Sequence, residues 1–175
     1  LVSQNDEDFK YFSYYQDLFP TKNSLVIAVK DNDKINRSLL SEIEKISEKL
    51  SNLPEVYSVF NINKAPILLL NNTNILDLAN DNYETILDTN LEIEDVLNEF
   101  SKSPIYSDQI INEDKNITSI IIFLNENSKA IDLKKNKNLY LSQGKYYKLK
   151  TEIDKERNEL IKKIRNIIIN SDQNF

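Results

Sequence analysis

Three acidic residues near the start of the chain have the spacing of a calcium-binding loop. Asp31, Asp33 and Glu42 match positions 1, 3 and 12 of that loop, where carboxylate oxygens bind Ca²⁺. Ile35, however, falls where the loop needs another side-chain oxygen, and Asn36 stands where glycine makes its sharp turn. We therefore predict that these residues form no calcium site and belong to the turn and the helix that follow it.

A serine close to a lysine is the other arrangement that could support catalysis. Ser142 and Lys145 could form a nucleophilic pair, but they lie in a polar segment with no supporting features. No two Asp or Glu residues stand out from the solvated helix faces as an acid–base pair. The chain has no cysteine and no histidine, which removes thiol nucleophiles, imidazole bases and the usual zinc ligands. We predict a protein that is not an enzyme and that has no catalytic, metal-binding or cofactor-binding residues.

The composition is that of a folded, acidic protein. The 175 residues are 40% hydrophobic and 29% charged, which suffices for one domain with a core or for two small subdomains. The net charge is −6, which disfavours nucleic acid as a partner. The chain has two short basic clusters. We expect the cluster at 134–137 to lie in a solvated loop and the cluster at 162–165 to lie on the solvent-exposed face of a helix. Gly144 is the only glycine, so the chain has no glycine-rich phosphate loop.

The ends of the chain suggest a piece of a longer protein. The sequence begins at Leu1 and contains no methionine, so we expect an excised fragment. No run of about 18 apolar residues occurs in it, and any membrane helix would lie outside the fragment.

The stretch 103–125 organises the predicted fold. Pro104 ends the preceding helix because its ring cannot continue one. Residues 112–116 are turn formers, and Ile117–Leu124 is rich in β-branched and aromatic residues. Because a strand with two apolar faces is usually covered on both sides, we predict that this strand lies at the centre of a sheet.

Residues 24–62 have the pattern of a strand–helix–strand unit. Apolar residues fill a strand at 24–30, and a helix at 34–53 carries its apolar residues on one stripe. A second strand follows at 56–62. Two parallel strands joined by a helix can leave a gap between them for a third, antiparallel strand, and the central strand is our candidate. We predict an α+β fold of ferredoxin-like split β-α-β units, with an antiparallel or mixed sheet covered by amphipathic helices.

An N-terminal helix is predicted at 6–20 from its aromatic residues. Phe9, Phe12, Tyr15 and Phe19 recur at helical spacing and form one stripe. The stripe could line a ligand site, or it could attach this helix to the body of the domain.

Residues 63–103 are predicted to be an excursion followed by a helix. The apolar segment 65–70 could form an exposed contact or ligand surface, or it could be buried beneath the excursion. Ile75–Ala79 has the length of one helical turn. Thr89 and Glu92 have the spacing of a capping box, which predicts the start of the next helix.

Residues 104–169 are predicted to be a second strand–helix unit. The polar segment from 126 to 143 is expected to be a loop, and a long amphipathic helix follows at 146–169. No strand closes this unit, so we expect the sheet to be incomplete within the single domain 1–175.

Three phrases of the sequence, in order, resemble a known family. YYQDLFPTKNSLVIAVKDND is followed by ISEKLSNLPEVYSVFNI and then by EDVLNEFSKSPIYSDQIINEDKNITSIIIFLN. This order resembles the first periplasmic loop of resistance–nodulation–division (RND) exporters, in the branch of hydrophobe and amphiphile exporters related to hopanoid and mycobacterial lipid transporters. The resemblance covers about 14–125 and, more loosely, 146–169. Lys115 stands where relatives often have the glycine of an Asp-Gly turn.

The resemblance implies a porter domain that handles lipid-like or amphiphilic substrates for a proton-driven exporter. It places the domain at the periplasmic face of a bacterial inner membrane, between flanking membrane helices and beside a second periplasmic loop of the same protein. Proton-relay carboxylates would lie in the membrane helices, so no residue of this chain is assigned to a site. An open sheet edge could pair between copies and give a homo-oligomer. The alternative is an extracytoplasmic protein-interaction module without a transport role.

Overall fold

The structure is a computed structural model and describes residues 23–171. It has an α+β fold, as the sequence predicts. The first half of the chain forms β1 (Ser24–Lys30), α1 (Arg37–Ser51), β2 (Val56–Asn61), a 3₁₀ turn (Ile62–Lys64), α2 (Ile75–Ala79) and α3 (Ile93–Lys102). The second half forms β3 (Ile117–Leu124), α4 (Ser128–Lys135), α5 (Lys137–Ser142) and α6 (Tyr146–Ile169).

The described sheet has the strand order β1–β3–β2, and β3 is antiparallel to both neighbours. Strands β1 and β2 are therefore parallel to each other, with β3 in the gap between them. Ile120 pairs with Ile27 on one side and with Asn61 on the other. The predicted central position of Ile117–Leu124 is confirmed.

One face of the sheet, here called the inner face, packs against α1, and α6 contributes side chains to the same core. Ile120 and Ile122 of β3 are fully buried in the same core as Leu160 and Ile164 of α6. On α1 the buried residues recur with helical period and include Leu39, Leu40, Ile43, Ile46 and Leu50. The inner face is thus the hydrophobic core that the apolar stripe of α1 predicts.

A register shift in β2 overturns part of the predicted strand alternation. The sequence places Val56 with Ser58 and Phe60 on one side of the strand, and Tyr57 with Val59 on the other. In the structure the register shifts between Val56 and Ser58, so that Val56 and Val59 are buried while Tyr57 is 61% exposed. One extra residue in a strand reverses the alternation beyond it, which sequence periodicity does not reveal.

The turn before β3 adopts a backbone conformation that favours glycine. Lys115 has φ 59°, in the left-handed region that most side chains avoid. Asn112 holds the turn, because its Oδ1 accepts hydrogen bonds from the backbone N of Asn116 at 3.0 Å and of Ile117 at 2.8 Å. A lysine therefore occupies a backbone conformation that glycine adopts more easily.

The expected loop between 126 and 143 is wrong, because this segment contains α4 and α5. Its basic cluster at 134–137 is exposed to solvent as predicted, but it lies at the junction of these two helices, with Asn136 as the turn between them. Asn127 caps α4 by accepting a hydrogen bond from Ala130 N at 3.1 Å, and Leu133 is buried. Both helices are too short to show a clear apolar period, and a tertiary contact with α6 holds them.

The predicted capping box at Thr89 is also wrong. Helix α3 begins at Ile93, and its N-cap Glu92 makes no side-chain capping bond. Thr89 Oγ1 instead accepts a hydrogen bond from Leu91 N at 3.2 Å within the preceding loop. Threonine stabilises tight turns as well as helix starts, so its spacing from a glutamate did not identify the helix end.

Two further expectations concern the N-terminal segment and the membrane. The predicted helix at 6–20 lies outside the described residues. Within 23–171, no helix combines the length and the apolar character needed to cross a bilayer.

Candidate binding surface

The residues with calcium-loop spacing form a turn and a helix cap. Asp31 Oδ1 accepts a hydrogen bond from Asp33 N at 3.0 Å, and its Oδ2 accepts one from Asn36 Nδ2 at 3.2 Å. Asn36 Oδ1 in turn accepts from Leu39 N at 3.1 Å, so Asn36 is the N-cap of α1. Glu42 lies within that helix. In the described part of the chain, no group of three acidic side chains is placed to hold a metal ion.

The serine and lysine with nucleophile-like spacing lie on the surface. Ser142 Oγ donates a hydrogen bond to the carbonyl oxygen of Leu139 at 2.8 Å, at the end of α5. Lys145 is exposed at the start of α6. A catalytic lysine is activated by removal from water, which this position does not provide.

The most distinctive surface is the segment 67–79, here called the platform. Its first turn closes through Thr73, whose backbone N donates to Leu68 O at 2.8 Å and whose Oγ1 donates to Ile67 O at 2.6 Å. Helix α2 follows with a complete capping box, in which Asn74 and Asp77 satisfy each other's backbone N–H groups. The platform is therefore an ordered element, and the predicted turn of helix at Ile75–Ala79 is confirmed.

A buried carboxylate of α3 holds the start of the platform. Glu99 is only 9% exposed, and its Oε1 accepts hydrogen bonds from the backbone N of Leu68 at 2.7 Å and of Leu69 at 2.9 Å. Its Oε2 accepts from Leu70 N at 2.8 Å. Three consecutive N–H groups thus converge on one anion, as in the backbone nests that bind free anions. Hydrogen bonds to a charged acceptor are about twice as strong as neutral ones, so this contact sets the local backbone conformation.

That conformation separates the apolar side chains of the platform. Ile67 is fully buried, whereas Leu69 is 77%, Ile75 83% and Leu76 73% exposed. Both alternatives for the apolar segment 65–70 therefore occur within it, with burial at its start and exposure at its end. The sequence already indicates that exposed apolar residues here would be the best candidate for a contact surface.

Two of these exposed side chains, Ile75 and Leu76, border an open depression of about 600 Å³. Its lining is almost entirely apolar and comprises Leu68, Thr73, Asn74, Ile75, Leu76 and Leu78. A shallow apolar depression of this kind suits an alkyl chain or an apolar side chain of a partner, and it offers no group for acid–base or nucleophilic chemistry.

Tyr106 attaches the chain just before the platform to the core. Its hydroxyl donates to the carbonyl oxygen of Pro66 at 3.0 Å, and its ring meets Phe100 edge to face with centroids 5.0 Å apart. Burial, followed by the nearby charge of Glu99, raises the pKa of Tyr106 to about 12. The hydroxyl therefore stays a neutral donor throughout the physiological range.

A second concavity, of about 630 Å³, is lined by charged side chains and by apolar ones, among them Leu25, Leu124 and Leu160. It lies where the ends of β1 and β3 meet α4 and α6. Lys163 Nζ bonds Glu55 Oε1 at 2.8 Å, and this hydrogen bond lowers the pKa of the Glu55 carboxyl. Lys129 forms an ion pair with Glu156 on the same wall, which raises the pKa of the lysine and lowers that of the glutamate. These are exposed pairs, which contribute little to stability, and their charges are already matched.

Sequence reasoning missed Glu99, the residue that shapes the platform. Its position carried a detectable signal, because it lies three residues after Val96 and so falls on the buried side of α3. An acidic residue on the apolar stripe of a helix requires a partner. The identity of that partner, a backbone segment about 30 residues earlier, could not be read from the pattern.

Comparison with known proteins gives no relative from which a function could be transferred. No protein-family model matches the chain, and no curated protein or solved structure matches it.

Proposed function

We propose that this chain is an extracytoplasmic substrate-handling domain of an RND-type exporter of lipids or amphiphilic compounds. The observation that carries the proposal is the platform, an exposed apolar surface whose first residues hydrogen-bond to the buried carboxylate of Glu99. Apolar residues exposed singly are ordinary, whereas a contiguous exposed apolar patch marks a contact or ligand surface.

The strand order supports the same proposal. A parallel pair with an antiparallel strand between them is the arrangement expected of a split β-α-β porter unit. In a complete ferredoxin-like unit a further strand closes the sheet, and a second periplasmic loop of the same protein is our proposed source of it. This assignment rests on the resemblance of the three sequence phrases and on their match to the observed strands.

The test uses the full-length gene product, purified with its native lipids, and mass spectrometry of the extracted amphiphiles. We expect a bound lipid-like molecule in the wild-type protein. Ile75→Ser should weaken its binding by up to about tenfold, because one lost isoleucine contact is worth about 1.4 kcal/mol. The matched control is Ile169→Ser, since Ile169 is also exposed (72%) but lies at the far end of α6.

Absence of any bound amphiphile, or an equal loss in both variants, would overturn the proposal. The rival is a protein-interaction module, which the shallow shape of the platform depression also fits. The full-length gene distinguishes the two, because an exporter requires flanking hydrophobic helices and a second similar loop, whereas a module requires only an anchor.

A further inference from the structure

Residues 134–150, here called the basic hairpin, carry a charge opposite to that of the whole chain. The segment contains six lysines and no Asp or Glu, so its net charge is +6 in a chain whose net charge is −6. All six are exposed, and none forms an ion pair with a described carboxylate: Lys134, Lys135, Lys137, Lys145, Lys148 and Lys150. Cations gathered in this way, without carboxylate partners, attract an anionic partner.

The basic hairpin has a defined turn between α5 and α6. Lys145 N donates to Tyr140 O at 2.9 Å and Gly144 N donates to Leu141 O at 3.1 Å, which are the two hydrogen bonds of a Schellman motif at a helix end. Gly144 has φ 69° and supplies the left-handed residue that this motif requires. The turn therefore brings together the end of α5 and the start of α6.

Apolar side chains are exposed among these lysines. Leu139 is 52%, Leu141 41% and Tyr147 73% exposed. Leu141 lies four residues after Lys137 on α5, and Lys150 lies three residues after Tyr147 on α6, so each pair adjoins on its helix surface. Leucine and tyrosine beside lysine are typical of segments that lie in a membrane interface, where the apolar parts enter the headgroup region and the ammonium groups stay in water.

The start of this region is attached to the rest of the domain. Leu133, just before the basic hairpin, is buried. Asp132, the nearest carboxylate on that side, accepts hydrogen bonds from Asn136 Nδ2 and from Tyr140 Oη and so is engaged without forming an ion pair with a lysine. The positive charge is therefore a fixed feature of the fold.

We infer that the basic hairpin docks on the surface of an anionic phospholipid bilayer, with its lysines at the headgroups and Leu139, Leu141 and Tyr147 in the interface. Clusters of about four to eight basic residues on interfacial segments are typical of proteins that bind acidic lipids. Nucleic acid fits this surface less well, because its backbone is contacted by cationic and polar groups and does not use exposed leucines. The inference does not depend on the exporter proposal, which places the substrate at the platform.

Co-sedimentation of the full 175-residue chain with lipid vesicles tests the inference. We expect binding to vesicles of phosphatidylglycerol and phosphatidylcholine in equal parts, and little binding to phosphatidylcholine alone. Raising NaCl from about 0.05 M to about 0.5 M should weaken binding, because salt screens exposed charges. Lys145→Gln, Lys148→Gln and Lys150→Gln together should weaken binding on the order of a hundredfold, because each lysine at an anionic surface contributes about fivefold.

The matched control removes three exposed lysines outside the basic hairpin: Lys45→Gln, Lys49→Gln and Lys162→Gln. It changes the net charge of the chain by the same amount and leaves the basic hairpin intact. Vesicle binding should therefore stay within about twofold of the wild type. Circular dichroism shows whether each triple variant folds.

A single tryptophan locates the contact, because the native chain has none. Tyr147→Trp places it on the basic hairpin, and Tyr57→Trp places it at another exposed position, in β2. On addition of the phosphatidylglycerol vesicles, the emission of the Tyr147→Trp variant should shift to the blue, because the interface removes the ring from water. The emission of the Tyr57→Trp variant should not change.

Several outcomes would overturn the inference. Equal losses in the two triple variants, or equal binding to both lipid compositions, would show that the lysines of the basic hairpin do not select an anionic bilayer. Absence of a blue shift in the Tyr147→Trp variant would show that its side chain does not enter the interface. Binding to a DNA duplex as tight as vesicle binding, and equally dependent on the three lysines, would assign the surface to polyanions in general.

Discussion

Two apolar runs of this chain differ in how far their side chains are buried. Residues 120–124 and 67–70 are both uninterrupted stretches of large apolar residues. In β3 the backbone pairs with strands on both sides, and Ile120 and Ile122 are fully buried on the inner face. In the platform the backbone N–H groups turn towards one carboxylate, and Leu69 is left exposed.

The difference shows that an apolar run does not determine its own burial. What decides burial is where the backbone hydrogen bonds go, since each peptide group must be satisfied. In a β-strand, regular backbone pairing places every second side chain on the same face of the sheet. In a turn whose N–H groups converge on an anion, the side chains follow no such alternation. The platform is thus held by polar contacts and the inner face by apolar ones, and each can be perturbed separately.

The largest expected effect comes from removing apolar contact at the inner face. Ile122→Ala should lower the free energy of unfolding by about 2–5 kcal/mol, because it leaves a cavity among fully buried side chains. Ile75→Ala, the same substitution at an exposed platform position, should change it by less than about 0.5 kcal/mol. Urea denaturation measures both, and similar losses in the two variants would contradict the comparison.

A smaller and more local effect is expected from weakening the anion at the platform. Glu99→Gln removes the charge while keeping the side-chain size, and it should cost about 1–2 kcal/mol because backbone donors lose a charged acceptor. Hydrogen exchange at the amides of residues 68–70 should accelerate more than exchange at β3.

The matched control for this experiment lies on the same helix. Glu94→Gln also removes one negative charge from α3, but Glu94 is exposed and pairs with Lys34 at the surface. Exchange at the platform amides should be unchanged in this control. If both variants accelerate exchange at 68–70 equally, the specific role of Glu99 is wrong.

The smallest effect is expected at the contact between Tyr106 and the chain before the platform. Tyr106→Phe should cost about 1 kcal/mol near pH 7, because the Pro66 carbonyl loses its donor. In the wild type, the folded pKa of about 12 lies above the ordinary value of 10. The unfolded state therefore releases its proton first, and the stability linked to this group is present below pH 10 and is lost between pH 10 and 12.

Measuring unfolding against pH separates this contribution from general alkaline denaturation. The wild type should lose more stability between pH 10 and 12 than Tyr106→Phe does. Tyr147→Phe, at a 73% exposed tyrosine, should follow the wild type. A steeper alkaline loss in Tyr106→Phe would reverse the sign of the expected linkage.

The strands and the two long helices could be predicted from the amino-acid pattern alone. The β-branched run at 117–124 predicts a buried strand. The apolar residues of α1 recur at helical spacing, so only a helix places them all on one face. The split order β1–β3–β2 could be predicted from the strand–helix–strand unit together with the two apolar faces of β3. Short elements with few apolar residues, such as α4 and α5, lack that pattern, and the prediction of a loop there was wrong.

Which apolar residues stay exposed could not be predicted from that pattern. The bulge at Tyr57 and the convergence of three backbone amides on Glu99 depend on contacts between distant segments. Periodicity measures the average direction of side chains along one element. A hydrogen bond between two elements can redirect the backbone locally at a small cost in free energy. The exposure of the platform therefore depends on the contact between α3 and residues 67–70, which the pattern of either segment alone does not show.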